Sequence, residues 1–61
     1  MKQLTTKELS SLEEQLGLEQ NLVLKYNAMA EQCEDTQIRA KWQQIARKHQ
    51  KHFDKLARYL G

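Results

Sequence analysis

The chain has 61 residues, a formal net charge of +2, one cysteine, two glycines and no proline. At this length only one domain fits and its core is marginal without a disulfide, a metal or a partner; the single Cys33 removes the intramolecular disulfide from that choice. With no run of 18 apolar residues and a polar start at Met1-Lys2-Gln3, neither a membrane span nor a secretory leader is expected, and a free thiol fits the reducing cytoplasm.

The net charge hides an asymmetry. Residues 1–35 carry three Lys against seven acids, or −4, whereas residues 36–61 carry seven Lys and Arg against Asp54, or +6. An acidic first half beside a basic second half cancels much of the long-range field that a nucleic-acid binder needs, and no base-stacking platform accompanies the lysines.

Leu, Glu, Gln, Lys and Ala dominate and strand signals are nearly absent, so the chain reads all-α. The first helix is expected over about 5–33. Thr5 is placed to cap it, Glu8 closes a capping box, and Leu4 and Leu9 occupy the staple positions. Leu9, Leu12, Leu16, Glu19, Val23, Tyr26, Ala30 and Cys33 then recur at steps of three and four, with Leu22 and Met29 widening the stripe on one side. Glu19 is the polar intruder in this seam.

A turn is expected at about 34–36 and a second helix over about 36–60. Its seam runs Ile38, Trp42, Ile45, His49, His52, Leu56 and Tyr59, flanked by Ala46, Phe53 and Leu60 on one side and by Lys41, Lys48 and Lys55 on the other. Continued past Cys33, the first seam would land on Gln37, Ala40, Gln44, Arg47, Lys51 and Asp54, which is almost wholly polar. The stripe therefore breaks phase, and Asp35 or Thr36 can cap a new helix, so one antiparallel hairpin over residues 1–61 is favoured over one long helix. Two helices touch along a single line, and stripes this broad stay partly uncovered; a homodimer that completes a four-helix bundle is the simplest cover.

Antiparallel pairing about Asp35 matches positions whose numbers sum to about 69 or 70. Val23 then faces Ala46, and Glu19 falls level with His49 to His52. A buried carboxylate or imidazole needs a hydrogen bond, a proton or a metal. One reading makes Glu19, His49 and His52 a metal site in a bundle core. Four-helix di-metal proteins use Glu-x-x-His where this chain has His49-x-x-His52, and the loss of that carboxylate suits zinc better than an oxygen-activating iron pair. The other reading is a polar layer that sets the helix register, with Glu19 paired to one histidine; a third leaves the histidines on the rim in water. No catalytic partner set accompanies Cys33, and no catalytic residue is assigned.

Leu4-Thr5-Thr6-Lys7-Glu8-Leu9, Leu12-Glu13, Glu19, Lys25-Tyr26, Ala30, Glu31, Asp35 and His49-Gln50-Lys51-His52 with Leu56 resemble the spore coat protein F family of spore-forming Firmicutes. Members of that family are similar to ferritin-like proteins and rubrerythrins in fold. Larger members carry two such hairpins, whereas this chain has one, which agrees with a dimer. The resemblance implies a ferritin-like bundle in the cytoplasm of the sporulating cell or in its coat, with other coat proteins as partners. The expected function is thus a small structural or interaction protein rather than an enzyme. The alternative is a ferritin-like protein holding a divalent metal, zinc or iron, on Glu19, His49 and His52. Neither nucleic acid nor membrane is expected as a partner.

Overall fold

The computed structural model describes residues 3–61, which form two antiparallel helices, α1 (Thr6–Glu31) and α2 (Thr36–Ala57), and a terminal 3-10 turn over Arg58–Leu60. Among the described residues there is no strand, and no helix is long and apolar enough to cross a membrane.

Each helix begins where its capping chemistry dictates. The Thr5 hydroxyl accepts from the Glu8 amide and the Glu8 carboxylate accepts from the Thr5 amide, both at 3.0 Å, so the capping box is closed. At α2, one oxygen of Asp35 accepts from the amides of Gln37 and Ile38 at 2.9 Å each. The first helix ends at Glu31 rather than near residue 33. Arg39, reaching back from the first turn of α2, donates from Nε and Nη2 to the Cys33 carbonyl at 2.9 and 2.6 Å, which holds the connection outside the helix. The second helix ends at Ala57 and the chain tightens into the 3-10 turn, so helical backbone reaches the expected residue 60 in changed form.

The hairpin measures 46 × 17 × 11 Å and is one layer thick. Its buried apolar residues are Leu16, Ala30 and Ala46; the two alanines let the helix backbones approach closely in the half nearer the turn. The remaining stripe residues are half-buried or exposed. The chain exposes 5138 Å², against roughly 4100 Å² for a compact monomer of 7.2 kDa.

The two flanks of the interhelix line differ in chemistry. On one side the helical period groups Leu18, Leu22 and Met29 of α1 with Ile38, Ile45 and His52 of α2 and Tyr59 of the terminal turn, four residues at seven-residue spacing bordered by Lys41, Lys48 and Lys55. A shallow apolar groove lined by Leu4, Leu12, Leu56 and Tyr59 opens on this side. On the other side a polar groove is lined by Asn27, Ala30, Glu31, Arg39 and Gln43, and a mainly apolar one by Val23, Leu24 and Phe53 with Gln20 and Gln50. Exposed apolar side chains therefore lie on both flanks, Leu18, Ile38 and Tyr59 on the first and Leu24 and Leu60 on the second.

Candidate metal-binding cluster

Glu19 is the one buried charged side chain among the described residues, 6 % exposed. The seam spacing places it there: Leu16 precedes it by three residues and Val23 follows by four, so the same turn geometry that buries Leu16 turns Glu19 inward. The antiparallel register brings α2 against it at His49 and His52, one turn apart on one face.

The expected convergence is present. His49 Nδ1 lies 2.6 Å from Glu19 Oε1, and His52 Nδ1 lies 3.5 Å from Glu19 Oε2. With the carboxylate ionised, His49 Nδ1–H donates to it. A further contact was not foreseen: the Gln15 amide, one turn before Glu19 on α1, donates to Oε2 at 3.2 Å. The i, i+4 spacing could have signalled it.

The three side chains differ in burial. Glu19 is 8 % exposed by side chain, His49 23 % and His52 54 %, so the cluster is closed toward the helix pair and opens to solvent through His52. His52 thus sits on the rim, because it belongs to the apolar flank that one hairpin leaves uncovered, while Glu19 and His49 lie within the interhelix contact.

Electrostatically, the hydrogen bond from His49 holds the Glu19 carboxyl below the usual carboxylate range; burial opposes this, and the Gln15 amide and the nearby histidine charges reinforce it. The carboxyl is therefore held toward its ionised, acceptor-only form.

An aromatic ladder supports the imidazoles. Tyr26 stacks on Trp42 at 5.7 Å between ring centres and on His49 at 5.8 Å with the planes 6° apart, while His49 meets His52 edge to face at 5.6 Å. Tyr26 thus links Trp42 to the His49 ring.

One ligand atom from each of Glu19, His49 and His52 lies within 4.8 Å of the others, close enough to hold a metal ion. Two donors each bound at the usual 2.0–2.2 Å in a tetrahedral shell stand roughly 3.3 Å apart. An ion held by both His49 Nδ1 and Glu19 Oε1 would displace the proton they share and open their 2.6 Å contact by a fraction of an ångström. Cys33 lies elsewhere, at the turn, half-buried, with its thiol 3.4 Å from the Asp35 carbonyl oxygen.

No protein-family model matches this chain, and no curated protein and no solved structure is detectably similar to it. The likeness to spore coat protein F accordingly rests on the residues quoted for it.

Proposed function

We propose that this hairpin is a structural or interaction subunit, half of a ferritin-like four-helix bundle completed by a second copy, of the kind found in spore coats. The observation that carries this reading is the uncovered apolar flank. The surface in excess of a compact monomer is about 1000 Å² over the whole elongated layer, of the same order as the roughly 800 Å² that each partner contributes to a standard interface. Covering the flank with its own image gives an isologous, closed dimer and leaves the opposite flank, where Gln20, Asn27, Gln43 and Gln50 stand beside Val23, Leu24 and Phe53, outside to meet other proteins. Sedimentation equilibrium at micromolar concentration tests it: a dimer is expected, with a melting temperature that rises with protein concentration, and a folded, cooperative monomer defeats the reading.

A second reading is favoured by the proximity of Glu19, His49 and His52. In it the bundle holds a divalent cation, zinc in preference to iron because two of the three donors are imidazoles. Zinc added to metal-free, untagged protein is then expected to raise the melting temperature, and an unchanged melting curve rejects that reading.

A further inference from the structure

We propose that the outward face of α2 binds the phosphate backbone of duplex nucleic acid without regard to base sequence. The face lies opposite the helix contact, so it stays open to solvent whether the hairpin is single or paired through its flank. Of the seven cations in residues 36–61, Arg39 is engaged with the Cys33 carbonyl at the turn. The other six, Lys41, Arg47, Lys48, Lys51, Lys55 and Arg58, are all exposed.

The helical period gathers those six onto one side. At about 100° per residue they fall within an arc of roughly 120°, centred opposite the seam of Trp42, Ala46, His49 and Phe53. The rest of that arc of α2 is Gln37, Ala40 and Gln44. Lys41 and Arg58 stand 17 residues apart, so at about 1.5 Å per residue the row is about 26 Å long. None of the six forms an ion pair with a described residue. Asp54, the one acid of α2, stands beside the arc and accepts from the Gln50 amide at 3.0 Å.

The cancellation expected from the acidic half is limited by where its charges stand. Glu8 and Asp35 are engaged as helix caps, and Glu19 is enclosed between the helices with the histidines. The remaining acids of that half, Glu13, Glu14, Glu31 and Glu34, belong to α1 and the connection. Two packed helices put their outer faces roughly 20 Å apart, more than twice the screening length of about 8 Å at physiological salt. The row therefore keeps its own local field.

The composition of the face selects its partner. A membrane surface takes up a helix whose apolar side chains enter the lipid, and a protein interface needs an apolar centre; this arc offers neither. Single strands call for a series of rings on which bases stack, whereas Tyr26 and Trp42 are stacked on each other at the helix contact. What the face does offer is a straight row of cations, two of them guanidiniums that can hold phosphate bidentately, and a duplex carries one negative charge about every 1.7 Å of its axis.

The experiment titrates the full, untagged chain into a short fluorescein-labelled DNA duplex of mixed sequence and reads anisotropy. With about four of the six cations engaged, affinity is expected to fall roughly a hundredfold between about 50 and 200 mM salt. Lys48→Gln with Lys55→Gln, two exposed positions of the row, is expected to weaken binding roughly tenfold at the lower salt and to flatten the salt slope by about two. Lys7→Gln with Lys25→Gln removes the same charge from α1 and is expected to leave affinity and slope nearly unchanged. Circular dichroism confirms intact helices in both variants. Equal weakening by the two pairs overturns the proposal, because net charge alone then accounts for binding, and so does absence of binding at the lower salt. Binding to vesicles containing phosphatidylserine but not to the duplex assigns the face to another partner and overturns it. Displacement of the duplex by polyglutamate as readily, charge for charge, as by unlabelled duplex overturns it as well.

Discussion

His49 and Glu19, 30 residues apart in the chain, are joined by a 2.6 Å hydrogen bond at the mid-height of the hairpin. It ties α1 to α2; slipping one helix past the other by a turn would, in one direction, set His52 in the place of His49 and, in the other, leave the carboxylate without an imidazole partner. The bond acts mainly through the cost of its absence, since a buried ionised carboxylate with one donor removed keeps its desolvation penalty.

That asymmetry separates two substitutions. His49→Ala strips Glu19 of its shortest hydrogen bond and is expected to destabilise the metal-free protein by about 1 to 3 kcal/mol, limited by the donors that remain on Gln15 and His52. Replacing the pair together, Glu19→Leu with His49→Phe, removes the buried charge along with its partner and is expected to be neutral or stabilising. Urea denaturation of both variants decides it; a double variant less stable than His49→Ala would show that the pair contributes more than it costs to bury.

The same carboxylate predicts an acid response in metal-free protein. Its folded-state affinity for protons is depressed, foremost by the His49 hydrogen bond, so the folded state resists protonation more than the unfolded chain does. The contribution is fully present above the ordinary glutamate value of about 4.3 and is lost as the pH falls below that toward the folded value. Melting temperatures measured from neutral pH downward are expected to drop more steeply in this acid range for wild type than for Glu19→Gln. Parallel profiles would mean that Glu19 titrates alike in both states.

Gly17 lies inside α1 with nothing within 4 Å of where a Cβ would stand. A glycine in a helix interior costs backbone entropy that alanine does not, and no contact here offsets it. Gly17→Ala is therefore expected to stabilise by about 0.5 to 1 kcal/mol, read as a rise in the urea midpoint with an unchanged slope. A loss of stability would place a close neighbour over Gly17 in the assembled protein.

Much of this was legible in the sequence because it depends on local rules. Thr5 and Glu8 announce the start of α1, Asp35 caps α2, and the phase break after Cys33 separates a hairpin from a single helix. The meeting of Glu19 with His49 and His52 followed from the pairing register alone. What spacing could not supply was the unequal burial of the two histidines. Both occupy seam positions, yet His49 lies inside the helix contact and His52 outside it, because the seam is wider than one helix neighbour can cover. Arg39 was read only as part of the basic half; its clamp on the Cys33 carbonyl depends on the path of the turn, which no periodicity encodes.

Ile38 offers the cleanest separation of hairpin from dimer. It is 48 % exposed and begins the series Ile38, Ile45, His52 and Tyr59 on the apolar flank, so within one hairpin a glutamate there would face water at little cost. In a dimer that buries the flank, the same carboxylate would have to be desolvated with no partner, one on each side of the two-fold axis. Ile38→Glu is therefore expected to weaken the dimer by at least an order of magnitude, or more than about 1.4 kcal/mol. Gln43→Glu, on the opposite polar flank, is expected to leave it unchanged. Sedimentation equilibrium reads both. Equal behaviour of the two variants would move the interface off the flank that carries Ile38.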